Sequence, residues 1–181
     1  SNGKRRLEVF ECFKVMNKNN IEPSTIKAPY PIFKEKDRDC FYFKVNATEY
    51  NIAFIQSNLL GVLPYDSICI DRDLKDNKGN KEVANTLTII IKNILDKDRV
   101  LCFICDTTDG RHIARQKLFK TWFTTKKNSS QYVMLSIESD DIYGGIILKK
   151  SHPLYSEYLT EMEIFKKEMT DSKPHILFET F

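Results

Sequence analysis

Between Arg111 and Lys127 the chain carries six Lys or Arg residues and no carboxylate, and the turn Asp106-Thr107-Thr108-Asp109-Gly110 comes immediately before. Two kinds of chemistry fit that pattern. Thr107, Thr108, Asp109, Gly110, Arg111 and Arg115 suit an anion, because the first N–H groups of a helix point beyond its start and two guanidiniums one turn apart add charge. Asp71, Asp106 and Asp109, at neighbouring strand ends, suit a divalent cation. Arg111 and Arg115 would then steady a phosphate, and the reaction would be metal-dependent phosphodiester hydrolysis.

A helical wheel tempers both readings. At about 100° per residue, Ala114, Leu118, Phe119, Trp122 and Phe123 define an inward face from which Arg111 and Arg115 also project. An inward guanidinium left unpaired costs about 3–5 kcal/mol, so each needs a partner, and Asp106, Asp109 and Asp71 are the nearest candidates. A structural clasp between Asp106 and Arg115 is the leading expectation, ahead of an anion site and of catalysis. Lys117, Lys120, Lys126 and Lys127 make an outward basic surface. Such faces are usually just solvated, so nucleic-acid binding there ranks below a protein partner.

Other motifs fail on spacing. Cys102 and Cys105 form a C-x-x-C inside a strand pattern, where alternation sends the two thiols to opposite faces, and no second pair completes a zinc site. The stretch from Asp71 to Glu82 resembles a calcium loop, but Lys75 falls on a ligand position and Asp76 on the position that needs glycine. His112, His152 and His175 lie at no metal-binding spacing, and there is no P-loop, G-x-G-x-x-G or G-x-S-x-G. No metal and no cofactor is expected.

Composition sets the frame for these residues. The 181 residues are 41% apolar and 29% charged, with twelve Phe and eight Tyr, which supports one domain with a substantial core. A net charge of +3 demands neither nucleic acid nor membrane. No apolar run approaches the roughly 20 residues of a membrane helix. Ser1-Asn2-Gly3 reads as an expression-tag remnant. Five cysteines, an odd and loosely spaced set, do not suggest a disulfide framework, so a cytoplasmic location is expected.

The elements that must position the 106–115 corner follow from periodicity. Residues 4–17 suit a helix or a strand, and 18–39 form a polar, proline-bearing connection. Residues 1–39 are thus set apart from a single α+β domain over 40–181. Cys40–Val45 and Tyr50–Gln56 pair as a hairpin, and Ser67–Asp71 alternates as a third strand. Lys81–Lys97 is an amphipathic helix with Asn80 as N-cap. Arg99–Cys105 is a central strand covered on both faces, and Arg111–Thr125 is a second helix. Tyr132–Glu138 and Ile142–Lys149 form a second hairpin in which Gly144-Gly145 marks a bulge or a close backbone approach. Pro153 opens a last helix with the stripe Leu154, Tyr158, Met162, Phe165 and Met169, and the tail from Pro174 adds an edge strand. The expected architecture is a mixed, mostly antiparallel sheet of two hairpins plus one strand–helix–strand unit, with about three helices packed on it.

Cys105-Asp106, Asp109, Arg111, Arg115, Leu118-Phe119 and Trp122-Phe123, together with the hairpin residues Phe41-Tyr42-Phe43, resemble a family of short Bacteroidetes proteins known only as a domain of unknown function. The resemblance covers roughly Tyr30 to Met169. It implies a bacterial lineage and no activity. The functional expectation is therefore a small non-enzymatic binding or protein-interaction module, with a homodimer through the exposed edge of the second hairpin as one mode of association.

Overall fold

The computed structural model describes residues 16–58, 61–72, 80–106, 112–123, 126–138, 142–172 and 177–180. A short 3-10 turn over Lys18–Asn20 leads into β1 (Ile21–Pro23), β2 (Phe33–Glu35), β3 (Cys40–Val45), β4 (Thr48–Ser57) and β5 (Tyr65–Arg72). There follow α1 (Lys81–Leu95), β6 (Leu101–Asp106), α2 (His112–Phe123) and α3 (Lys126–Gln131). The chain closes with β7 (Tyr132–Glu138), β8 (Ile142–Lys149), α4 (Tyr155–Ser172) and β9 (Leu177–Thr180).

Among the described residues nine strands make one sheet in the order β1-β2-β3-β4-β5-β6-β8-β7-β9. Only β5 and β6 run parallel, joined through α1, and every other neighbouring pair is antiparallel. The expected mixed, mostly antiparallel sheet is therefore present, with four helices rather than three. Residues 18–39 contribute two short strands to its edge.

Alternation divides the side chains between two cores. Phe41, Phe43, Tyr50, Ile52, Phe54, Leu101 and Phe103 point to one face, where Val83, Leu87, Ile90, Ile91 and Ile94 of α1 cover them. Phe119 of α2 stacks on Phe103 on that same face, with ring centroids 4.3 Å apart. On the opposite face Tyr65, Cys102, Val133, Leu135, Ile146 and Leu148 meet Tyr158 and Met162 of α4. Helix α1 starts where Asn80 Oδ1 accepts the Glu82 N–H at 2.8 Å, satisfying one of the orphan donors of the first turn.

Several details differ from the expectations. The register of β8 runs unbroken against β6 and β7, so Gly144-Gly145 is a close approach and not a bulge. A Cβ on Gly145 would lie 2.2 Å from the Leu135 carbonyl oxygen, and one on Gly144 2.7 Å from that of Phe103. Leu154 leaves the α4 stripe and is 41% exposed, because it sits in the turn before the helix. Ile104 of the central strand is 39% exposed. Among the described residues the hairpin edge offered for self-association is partly covered: β8 is interior, and β9 pairs with Leu135–Glu138 of β7 but not with residues 132–134. No disulfide framework was expected, yet Cys69 is disulfide-bonded, whereas Cys40, Cys102 and Cys105 are not in disulfides. Cys102 and Cys105 do fall in opposite cores.

Candidate functional site

The corner that the sequence singled out falls largely beyond view. Thr107, Thr108, Asp109, Gly110 and Arg111 lie outside the described residues. Asp106 ends β6, Arg115 sits in α2, and Lys126 and Lys127 open α3, but only their backbones belong to the described part. Asp71 likewise has a described backbone position in β5, paired with Asn51. Lys117 is exposed. Lys120, expected to point away, is half-buried, its ammonium 5.2 Å from the ring centroid of Tyr143. Among the described residues no three His, Cys, Asp or Glu side chains converge as a metal site.

A different site is well defined. The loop 61–64 between β4 and β5 folds against α4 and is fastened there by Glu161. Its carboxylate accepts the backbone N–H of Val62, the N–H of Leu63 at 3.2 Å to each oxygen, and the phenol O–H of Tyr65 at 3.2 Å. Tyr158 Oη donates to the Pro64 carbonyl at 2.5 Å, and its ring meets Tyr65 edge to face at 5.2 Å. Gly61 makes the clasp feasible, since a Cβ there would sit 1.5 Å from Glu161 Oε1. Burial, and then the Glu161 charge, push the Tyr65 phenol well above its ordinary pKa, so it stays a donor.

Loop and helix leave between them an open groove of about 470 Å³. Val62 and Leu63 form one wall, and Ser156, Glu157, Thr160 and Ile164 form the other. Val62 is 88% exposed and Ile164 55% exposed. Thr160 Oγ1 donates to the Ser156 carbonyl at 3.0 Å, so that hydroxyl serves the helix itself. The groove thus offers apolar contact and carboxylates. His152 serves the start of α4, its Nδ1 accepting the Leu154 N–H at 3.0 Å while Nε2 faces the Asp98 carbonyl oxygen at 2.7 Å.

Two further polar clusters build the scaffold. Arg99 reaches Asp66 with Nε at 2.7 Å and Nη2 at 2.8 Å, and Asp39 with Nη1 at 2.5 Å, tying β5, β6 and the β2–β3 loop together. Glu35, buried, takes Arg38 Nε at 2.5 Å, Arg38 Nη2 at 2.7 Å and the Asn17 N–H at 2.6 Å. The Arg38 hydrogen bonds hold its carboxyl below the ordinary range despite burial, which acts the other way. Both clusters escaped the sequence reading: Arg99 meets Asp66 and Asp39 from 33 and 60 residues away, and Glu35 and Arg38, though three residues apart, lie in a stretch with no periodicity to mark them. Arg99 itself carried one signal: a lone cation at the head of an apolar run must find a carboxylate. The clasp of Glu161 gave none, since an acidic residue on a charged helix looks solvated.

The fold and the groove define a mixed α/β protein whose best-described site is an open apolar cleft with acidic lining. The chain belongs to a family of unknown function (DUF6169), whose model matches residues 75–167, just over half of it. The match begins ahead of α1 and ends within α4, so β1–β5 lie outside it. No curated protein and no solved structure matches.

Proposed function

We propose that this chain is a non-enzymatic protein-interaction module that works through the groove between loop 61–64 and α4. The observation that carries this reading is the exposure of Val62 and Ile164 in the lining of one open groove, whose loop Glu161 fastens to α4. Scattered exposed apolar residues are ordinary; two that line one open groove are a docking feature. The double variant Val62→Ser plus Ile164→Ser should lower the melting temperature only slightly, because Val62 is 88% and Ile164 55% exposed. It should also lose the protein partners that tagged wild type retains from its own cells. Identical retained sets would end this reading.

The cytoplasm is the proposed location. It rests on Cys40, Cys102 and Cys105 not being in disulfides, and it requires the bond at Cys69 to be reduced in the cell. Alkylation in denaturant directly after lysis should then label all five cysteines. Labelling of three only would place the protein in an oxidising compartment.

A further inference from the structure

We infer that the groove's occupant is a cationic, apolar segment of another protein; this deepens the interaction reading and rests on it. Among the described residues the lining contains two carboxylates, Glu157 and Glu161, and no cation. Helix α4 carries five acidic residues against two lysines, an acidic island on a chain of net charge +3. Glu161 is committed to the Val62 and Leu63 N–H groups and to Tyr65, which leaves exposed Glu157 as the charge presented to a partner. Ile164 lies seven residues further along the same helix, about 10 Å away at 1.5 Å per residue. A segment that fits must therefore place an apolar side chain between Val62 and Ile164 and a Lys or Arg about 10 Å from it. That spacing is two turns of a helix or three residues of a strand.

The chain's own cationic stretch, residues 111–127, does not favour a second copy as the occupant. Helix α2 packs on the face of the sheet that carries Phe103, and α4 on the face that carries Tyr65. A copy docking α2 into its neighbour's groove would leave an open groove at one end and an open helix at the other. That is a head-to-tail arrangement, which gives a ring or a filament and not a two-fold dimer.

The test uses the full-length, isotope-labelled protein and three helical leucine peptides that differ only in carrying lysine, glutamine or glutamate at the same positions. The lysine peptide should move the amide resonances of Val62, Leu63 and residues 156–164. It should bind at least about fivefold more tightly than the glutamate peptide. Glu157→Gln, which leaves the Glu161 clasp intact, should weaken the lysine peptide about two- to fivefold. Ile164→Ser should weaken binding about tenfold. Equal binding of all three peptides within the groove, or no binding of the lysine peptide, would overturn the charge inference while leaving the groove as an apolar interface. Shifts that fall elsewhere and ignore Ile164→Ser would overturn both. A sedimentation mass that rises with concentration and returns to monomer in Ile164→Ser would make the occupant a second copy and overturn the inference as well.

Discussion

Glu161 is worth more to this protein than its place on a charged helix suggests, because three donors converge on one carboxylate. Tyr65 is 1% exposed, so removing its acceptor strands a buried hydroxyl beside two loop N–H groups. Glu161→Ala should cost about 1–3 kcal/mol, read from the urea midpoint. Gly61→Ala should reproduce much of that loss, since the new methyl would displace the same carboxylate. The two substitutions together should therefore cost less than their sum, whereas full additivity would mean that Gly61 acts independently of Glu161. Glu35 makes the corresponding acid-side prediction. Its folded pKa is depressed, chiefly by Arg38, so its stabilisation is present above the unfolded value of 4.5 and is lost as pH falls through the folded value. Glu35→Gln should flatten the fall in urea midpoint between about pH 5 and about pH 3; an unchanged slope would rule out this ion pair as its source. At this scale sequence is least informative. Residues 35 and 38 are close along the chain, but Gly61, Glu161 and Tyr65 meet only after α4 has crossed the sheet.

Elements were far more legible, and the reason is periodicity. The two hairpins announce themselves by alternating apolar and aromatic residues, and α1 by six aliphatic side chains on one face. Helix α3, Lys-Lys-Asn-Ser-Ser-Gln, has no apolar stripe to read, and β1 and β2 are three residues each, too short for a period to emerge. The pair Gly144-Gly145 was readable as a close approach or a bulge, and the continuous register decides between them. Interstrand carbonyls crowd the missing side chains, with Leu135 nearer Gly145 than Phe103 is to Gly144. Gly145→Ala should thus destabilise more than Gly144→Ala, by about 1–3 kcal/mol as overpacking does. Both would show as lower urea midpoints at unchanged slope; equal effects would mean that the strands shift to accommodate either methyl. The 106–115 corner was the one element-scale feature that drew chemistry from the sequence alone, and its loop lies outside the described residues. The backbone brings its strand, β6, beside β5 in parallel register at Asp66↔Leu101 and Ser67↔Cys102.

At the scale of the molecule the two cores share one sheet, and β6 links them because it contributes to both. Its Cys102 thiol is buried and pushed up to about 12 by that burial alone. The folded pKa lies above the ordinary value of 9.0, so the folded state binds the proton more tightly. Stability is complete below about pH 9 and is lost as pH rises toward about 12. Cys102→Ala should therefore lose about 1 kcal/mol less than wild type between about pH 8 and about pH 10. Tyr65 and Tyr132, both raised by burial, push the same way at higher pH. The division of the sheet also bears on the family match. Residues 75–167 contain α1 but not Phe41, Phe43, Tyr50, Ile52 and Phe54, the side chains that α1 covers from β3 and β4. They also lack β5, leaving the parallel side of β6 without its partner. A fragment of 75–167 alone would expose the apolar face of α1 and a central strand edge together, the two features that most promote aggregation. Expressed alone, it should bind a hydrophobic dye and give collapsed amide spectra. Added β1–β5, supplied as a second fragment over residues 16–72, should restore dispersion. A fragment that is well dispersed by itself would mean that α1 finds other cover, and that β1–β5 are an appendage to the family fold and not half of its core.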